Sequence, residues 1–358
     1  MPKTLVGLSG GVDSSVAAAL LLEQGHEVVG GYMKNWTNEE GLPGDCPWEQ
    51  DIRDARAVSE HLGIEFRILS LMDQYRDRVV EYLLEGYRSG LTPNPDVMCN
   101  REMKFGIFRE FAIDQGFDSV ATGHYARRVI RENGSVDIGR GAPGKDQTYF
   151  LAKLEQAQIE SALFPLGHLS KPEVRAEAER LSLPVAQKKD SQGICFIGDI
   201  KMSDFLGHYI EDSPGPIVTL DGREVGQHQG LHLHTLGQRK GLGVPSNTYG
   251  KAYVVVEKRV PENALVVAFD EPGTPRLYTS RCRVGSITSL NRPTADWSDI
   301  AVQPRYRCPS VPAKVDWIDP ASAEITFAEP QRAITPGQIC AFYEGDVLLG
   351  GGVFQRAW

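Results

Sequence analysis

Short apolar runs alternate with amphipathic stretches along the first half of the chain. An apolar run predicts a buried strand, and apolar residues that recur every three or four positions predict a helix. The predicted strands cover 5–8, 27–33, 65–69 and 119–122, and the predicted helices cover 15–23, 53–62 and 75–87. Because strands and helices alternate, we expect a doubly wound parallel sheet with helices on both faces.

The later part of the chain has a different pattern. Ser170 and Glu173 have the spacing of a helix capping box, which extends the α/β region to about residue 200. From about Pro214, glycine and proline separate short β-branched runs, which is typical of an all-β region. We therefore predict an α/β domain over 1–205, a small β-rich domain over 206–277 and a C-terminal β-barrel over 278–358.

The composition is that of a globular protein, with 41% hydrophobic and 24% charged residues among 358. The first apolar run ends at Ser9, far short of a signal sequence or a spanning helix, so we expect a cytoplasmic protein without membrane association. The net charge of −9 argues weakly against nucleic acid, although local basic clusters permit an RNA-binding face. The six cysteines form no CxxC pair, so no protein-held metal site is expected.

A glycine- and serine-rich segment lies between the first predicted strand and helix. Its sequence is Ser9-Gly10-Gly11-Val12-Asp13-Ser14. Glycines allow a close backbone approach to an anion, and the first N–H groups of a helix favour negative charge. The segment therefore predicts a phosphate-binding loop. It lacks the Gly-Lys-Ser/Thr ending of a Walker loop and thus a lysine for the outer phosphates, whereas Asp13 is a candidate to help hold a metal ion.

Two further segments carry a cysteine among polar residues. In Asn94-Pro95-Asp96-Val97-Met98-Cys99, the prolines are expected to stiffen a loop before a helix that starts near Arg101. A thiol near a helix N-terminus ionises more readily, so Cys99 is a candidate nucleophile, with an inert buried thiol as the alternative. Cys195 lies in a second polar segment over 190–197, and by itself it also fits the end of a buried strand.

Together these segments resemble the tRNA 2-thiouridylase family, whose members thiolate the wobble uridine of tRNA. The glycine-rich segment resembles the PP-loop of the N-type ATP pyrophosphatases, which cleave ATP between the α- and β-phosphates and adenylate a substrate. The likeness covers nearly the whole chain and includes the segments 122–125, 144–149, 236–241 and 305–306.

The resemblance implies a role for each matching residue. ATP is expected to be bound by Gly7, Leu8, Ser9, Gly10, Gly11, Val12, Asp13, Ser14, Met33 and Gly123. The target base and the tRNA are expected to contact Asn94, Pro95, Asp96, Lys145, Asp146, Gln147, Arg305 and Tyr306. Cys99 is expected to be the nucleophile, Cys195 to carry a persulfide, and Asp96 to act as general acid or base.

The implied reaction is ATP-dependent thiolation of carbon 2 of the wobble uridine. Adenylation makes the C2 oxygen part of AMP, which leaves readily, and sulfur from the persulfide replaces it. Both direct attack and release of sulfide by Cys99 end in a disulfide with Cys195 that an external reductant must clear. Mg²⁺ is expected on the polyphosphate. The implied partners are tRNAs for lysine, glutamate and glutamine, and a sulfur-relay carrier or cysteine desulfurase.

Other functions remain open from sequence alone. A PP-loop ligase would adenylate a small-molecule carboxylate or carbonyl and would need neither the cysteine pair nor RNA-binding β domains. A non-catalytic nucleotide-binding or redox-sensing protein would use the two cysteines as a regulatory disulfide. The cysteines could also ligate an iron–sulfur cluster. His232 and His234 alternate in a β-type segment, and we expect them at the surface or facing RNA rather than on a metal.

Overall fold

A computed structural model describes residues 1–38, 41, 48–189, 198, 200–245, 248, 250–291, 293–294, 297 and 299–358. In this part of the chain the first sheet is parallel. Its strands are β1 (Lys3–Gly7), β2 (Glu27–Lys34), β3 (Glu65–Ser70), β4 (Ser119–Ala121) and β7 (Ala162–Leu163). The two strands between β4 and β7 in the chain belong to another sheet. Their order is β3-β2-β1-β4-β7, so the order reverses between β1 and β4. In such sheets ligands bind where the order reverses, beyond the carboxyl ends of the strands.

Helices cover this sheet and continue beyond it. They are α1 (Val12–Glu23), α2 (Trp48–Leu62), α3 (Met72–Tyr75), α4 (Glu81–Arg88), α5 (Pro95–Cys99), α6 (Phe108–Asp114), α7 (Gln156–Glu160), α8 (Lys171–Arg180) and α9 (Met202–Tyr209). π-helical turns at Arg76–Val80 and Asn100–Ile107 join α3 to α4 and α5 to α6. The predicted doubly wound α/β fold is confirmed, and the predicted capping box of α8 is present.

The helix predicted to start near Arg101 begins earlier, at Pro95. Asn94 caps it, because its side-chain oxygen accepts a hydrogen bond from the N–H of Val97 at 3.1 Å. Proline is favoured in the first turn of a helix, where its missing N–H has no partner to lose. The two prolines were interpreted as loop formers, whereas Pro95 initiates a helix that contains Cys99.

A smaller sheet follows the α/β region. It consists of β8 (Gly215–Thr219), β9 (Glu224–His228), β10 (Tyr253–Arg259) and β11 (Ala264–Phe269), in the order β10-β11-β8-β9. The expectation for His232 and His234 is wrong: they lie in and just after a 3₁₀ turn at Leu231–Leu233, and each is only 6% exposed. Alternation of polar and apolar residues over so few positions does not distinguish a strand from a turn that packs on a sheet.

The C-terminal region is a closed barrel, as predicted. Its strands are β12 (Tyr278–Ser289), β13 (Ile300–Gln303), β14 (Val311–Asp319), β15 (Ser322–Arg332), β16 (Ile339–Glu344) and β17 (Val347–Ala357). Pairing of β12 with β17 closes the barrel. Cys282 and Cys340 are buried in its core, in agreement with a structural role, whereas Cys308 is half-buried.

A hairpin that no sequence pattern predicted joins the α/β region to the barrel. Its strands are β5 (Ala126–Ile130) and β6 (Val136–Arg140), and β6 pairs with β17 through Ile138 and Leu348. Nearby, the buried ammonium of Lys153 donates to Thr288 Oγ1 at 2.8 Å. Burial lowers the pKa of Lys153 to about 8. These contacts fix the barrel against the first sheet.

Within the described residues, no helix combines the length and apolarity needed to cross a bilayer.

Candidate functional site

The glycine-rich loop lies at the carboxyl end of β1, where the strand order reverses. Gly10 has φ +72°, and a Cβ there would lie 2.5 Å from the main-chain oxygen of Asp51 in α2. Both facts require glycine. Ser14 turns back into the loop, because its hydroxyl accepts from the N–H of Ser9 at 3.1 Å and donates to the Gly11 carbonyl. The loop therefore holds the first turn of α1 open toward an anion.

Two residues predicted to line the nucleotide site flank this loop. Met33 lies near the carboxyl end of β2, and its Cε is 3.4 Å from the position that a Cβ on Gly7 would take. Gly123 follows β4, and a Cβ there would come within 2.8 Å of the main-chain nitrogen of Ser14. The chain after β4 therefore runs against the first turn of α1, which forms the opposite wall of the crevice.

Asp13 has two partners that are distant from it in the sequence. Its Oδ1 accepts from the ammonium of Lys171 at 2.7 Å and from the hydroxyl of Tyr125 at 2.9 Å. Lys171 is the first residue of α8, so the N-termini of α1 and α8 both lie at Asp13. The N–H groups of two helix N-termini at this corner favour a bound phosphate, and Lys171, now paired with Asp13, is within reach of it.

The only signal for Lys171 in the sequence was the capping box around it. That pattern predicts a helix start but not the place where the helix packs. The loop itself contains no lysine, but Lys171 reaches it from 158 positions away. No group of three metal-ligating side chains exists in the described part of the chain.

Cys99 lies in α5, the short helix that Asn94 caps, and its side chain is fully buried. Both Cys99 and Met33 belong to one hydrophobic core, which extends from the sheet to the helix. Asp96 is half-buried in the first turn of the same helix. The side-chain oxygen of Asn94 is used as a cap, so this residue offers mainly its amide N–H groups to a ligand.

Both β regions support the segment that leads to Cys99. From the barrel, the Pro336 carbonyl accepts from the N–H of Thr92 at 3.0 Å, and Gln338 Nε2 donates to the Thr92 carbonyl at 2.7 Å. From the smaller sheet, Lys258 Nζ donates to the Gly90 carbonyl at 3.4 Å. Three regions of the chain therefore meet at residues 90–99.

Phe150 lies between the end of the Cys99 helix and Tyr306, which is one of the residues predicted to contact tRNA. Asn100 Nδ2 donates to the Phe150 carbonyl at 3.1 Å, and the rings of Phe150 and Tyr306 are 4.3 Å apart. Arg305 donates to the Ala333 carbonyl at 3.0 Å. Tyr306, from the barrel, is thus connected through Phe150 to the end of the Cys99 helix.

Asp146 organises its own loop rather than facing outward. It accepts hydrogen bonds from the N–H groups of Gly141 and Thr148 and forms an ion pair with Arg140 at 2.7 Å. Gln147 is similarly engaged, with its side-chain oxygen on the N–H of Tyr125. Lys145 is half-buried on the same loop.

His124 is a buried group beside this site. Its Nδ1 lies 2.7 Å from the hydroxyl of Thr122, and its ring is 6.0 Å from that of Phe105. Burial, with a smaller contribution from Lys104, lowers the pKa of His124 well below its usual value. The imidazole is therefore neutral at physiological pH.

Cys195 lies outside the described residues, so its expected pairing with Cys99 stays a prediction. The chain that precedes it is anchored at Lys188. The Lys188 ammonium lies 2.8 Å from Asp51 and 2.5 Å from Asp54, both in α2. The main chain of Asp51 is the group that contacts Gly10, so this anchor lies next to the phosphate loop.

Comparisons with known proteins give the chain its family. Residues 2–199 match a tRNA methyl transferase HUP domain, 203–269 a tRNA methyl transferase PRC-barrel domain, and 279–354 an aminomethyltransferase β-barrel domain. The tRNA-specific 2-thiouridylase MnmA of Akkermansia muciniphila is 57% identical, with 99% of each chain covered. This chain belongs to the tRNA-specific 2-thiouridylase family. The thiouridylase of Salmonella arizonae is 47% identical over 99% of this chain and 97% of its own.

A solved 4-thiouridine synthetase in complex with RNA and bound ATP is also similar, but only weakly. It is 18% identical, covers 55% of this thiouridylase-family chain and 46% of its own, and has a TM-score of 0.38. This value is too low to carry an argument about function.

Proposed function

We propose that the chain is an ATP-dependent tRNA-uridine 2-sulfurtransferase that forms 2-thiouridine at the wobble position. The observation that carries the proposal is the 57% identity to a tRNA-specific 2-thiouridylase over 99% of both chains. The match extends over all three regions of this chain, from the α/β region to the barrel. The local geometry of the phosphate loop and of the Cys99 helix fits this reaction.

ATP binds at the loop after β1 in this proposal, with the adenine beside Met33 and the phosphates at the N-termini of α1 and α8. Lys171 binds the outer phosphates in place of the lysine that the loop lacks, since its ammonium is already 2.7 Å from Asp13. When ATP arrives, Lys171 turns to the phosphates and frees Asp13. Mg²⁺ needs few protein ligands when it is bound to a polyphosphate, so Asp13, which is 31% exposed, is sufficient to hold it.

The wobble uridine lies beside residues 94–99, between the Asn94 amide and the ring of Tyr306. Its C2 oxygen attacks the α-phosphorus of ATP and releases pyrophosphate. Asp96 is the residue we assign to proton transfer in this step, which contributes about 10²-fold or more when such a group is well placed. Tyr306 offers an aromatic face for stacking with an unpaired base.

Sulfur transfer uses both predicted cysteines. The Cys99 thiolate attacks the Sγ of Cys195 in the persulfide, a Cys99–Cys195 disulfide forms, and hydrosulfide leaves. The hydrosulfide adds to C2, the C2–O bond breaks, and AMP departs with the oxygen. Cys99 is fully buried in the structure, so its thiol becomes accessible only when the 90–99 segment moves. An external thiol then reduces the disulfide, and a sulfur-relay carrier or cysteine desulfurase reloads Cys195.

We propose domain boundaries at 205/206 and 277/278. The first domain carries out catalysis, and tRNA binding extends over the two β domains.

A PP-loop ligase remains the second candidate, because its phosphate loop would look the same. Hydrogen bonds from the barrel and from the smaller sheet hold residues 90–99 in place. These bonds argue against the ligase, because a ligase for small molecules does not need them.

The test is to separate the nucleotide products formed with and without unmodified tRNA. We expect AMP and pyrophosphate, formed in proportion to tRNA and not with small amines or carboxylates. AMP formation that ignores tRNA but follows a small acceptor would support the ligase instead.

A further inference from the structure

Tyr125 contacts two separate parts of the proposed site. Its side chain is 1% exposed, and its hydroxyl donates to Asp13 Oδ1 in the phosphate loop at 2.9 Å. Its main chain forms two hydrogen bonds with Gln147. The N–H of Tyr125 donates to Gln147 Oε1 at 3.0 Å, and its carbonyl accepts from the N–H of Gln147 at 3.0 Å. Tyr125 therefore contacts both the ATP loop and the predicted RNA-contacting loop.

The main-chain end of this link is rigid. A Cβ on Gly141 would lie 2.3 Å from the Tyr125 carbonyl oxygen, so the loop packs on Tyr125 without space between them. Asp146 holds the same loop together through Gly141 and Thr148. A force that displaces Gln147 is therefore passed to the main chain of Tyr125 rather than absorbed by the loop.

The side-chain end of the link is equally constrained. The ring of Tyr125 lies in a buried cluster with Val12 and Val16 of α1 and with Val174 and Ala178 of α8. Asp13 lies in the first turn of α1, and Lys171 is the first residue of α8. A shift of the ring therefore moves both members of the ion pair that surrounds the proposed phosphate site. Closely packed interiors transmit such shifts because they contain little free volume.

We propose that Tyr125 is a positioning residue that couples tRNA binding at residues 145–147 to the placement of Asp13 and Lys171 around the ATP phosphates. This inference rests on the proposed function. Engagement of Gln147 by RNA sets the position of Tyr125, and the Tyr125 hydroxyl sets the rotamer of Asp13. Because coupling between two binding sites is reciprocal, ATP binding strengthens tRNA binding by the same factor.

The experiment measures the dissociation constant of α,β-methylene-ATP, which cannot be split between the α- and β-phosphates, with and without saturating unmodified tRNA. The wild-type ratio of the two constants is expected to lie at about 5-fold or more, the usual range of coupling between sites. Tyr125→Phe removes the hydroxyl to Asp13 but keeps the ring contacts with α1 and α8, so it is expected to lower the ratio below that of the wild type. The reciprocal measurement, tRNA affinity with and without the analogue, should lose the same factor.

Tyr343→Phe is the matched control. Tyr343 is also fully buried, and its hydroxyl also bonds to this loop, at 3.0 Å from Thr148 Oγ1, but it has no contact with Asp13. Its ratio should equal that of the wild type. A Tyr125→Phe ratio equal to the wild-type ratio overturns the proposal, and so does a loss of equal size in Tyr343→Phe.

The outcome also separates this proposal from the proposed function. If the wild type forms 2-thiouridine but its ratio is unity, the coupling role is wrong and the sulfurtransferase reaction stands. If Tyr125→Phe does not fold, the wild type carries the test through amide hydrogen exchange. Addition of tRNA without nucleotide must slow exchange in the peptide over 9–16, and unchanged exchange there overturns the coupling role.

Discussion

Replacement of Lys171 by methionine tests the phosphate site most sharply. Methionine keeps most of the side-chain volume and removes the charge. The Lys171 side chain is 13% exposed and its ammonium lies 2.7 Å from Asp13, so it is held at the corner where the two helices begin. A hydrogen bond to a charged group contributes about 1.5–3 kcal/mol. We therefore expect the affinity for ATP to fall about 10- to 100-fold, since a factor of ten corresponds to about 1.4 kcal/mol.

The assay is nucleotide binding by titration, together with the rate of pyrophosphate release in the presence of tRNA. Lys251→Met is a matched control, because Lys251 forms an ion pair with Glu271 at the same distance of 2.7 Å in the smaller sheet region. The control should bind ATP as the wild type does. Unchanged ATP affinity in Lys171→Met would refute the assignment of this lysine to the phosphates.

Three further predictions follow from packing and burial. Gly123→Ala places a methyl group 2.8 Å from the first turn of α1 and should lower the free energy of unfolding by about 1–3 kcal/mol and weaken ATP binding in calorimetry, whereas Gly207→Ala, which has open space, should do neither. Cys99→Ser should abolish 2-thiouridine formation while tRNA-dependent pyrophosphate release continues; loss of both would place Cys99 in adenylation. Burial lowers the pKa of His234 to about 4, so this imidazole takes up a proton more readily in the unfolded chain. The free energy of unfolding should thus be full above about pH 6.5 and fall by about 3 kcal/mol toward pH 4, and His234→Leu should flatten this part of a denaturation series.

Local patterns predicted most of the first sheet and its phosphate loop. The loop was recognisable because its glycines, its hydroxyls and the start of α1 are consecutive in the sequence. The capping box of α8 and the closed barrel were predicted for the same reason, since each depends on nearby residues or on a repeated pattern. The start of α5 was mispredicted because Pro95 fits both a loop and a helix N-terminus, and the choice depends on the Asn94 cap.

Contacts between distant segments could not be predicted in this way. The β5–β6 hairpin pairs with a strand of the barrel, and Lys171 and Tyr125 meet Asp13 from 158 and 112 positions away. No local pattern states where a hairpin edge or a helix N-terminus packs. The burial of His232 and His234 likewise depends on which face of the turn meets the smaller sheet.

In the proposed reaction, ATP activates the C2 oxygen of the uridine. The most direct measurement uses tRNA with a heavy oxygen isotope at C2 of the wobble uridine, incubated with the protein, ATP, Mg²⁺ and a sulfur source, followed by mass spectrometry of AMP and of the nucleosides. We expect one labelled AMP for each 2-thiouridine, because the C2 oxygen leaves with the phosphate. Formation of 2-thiouridine with the label in water and none in AMP would contradict it.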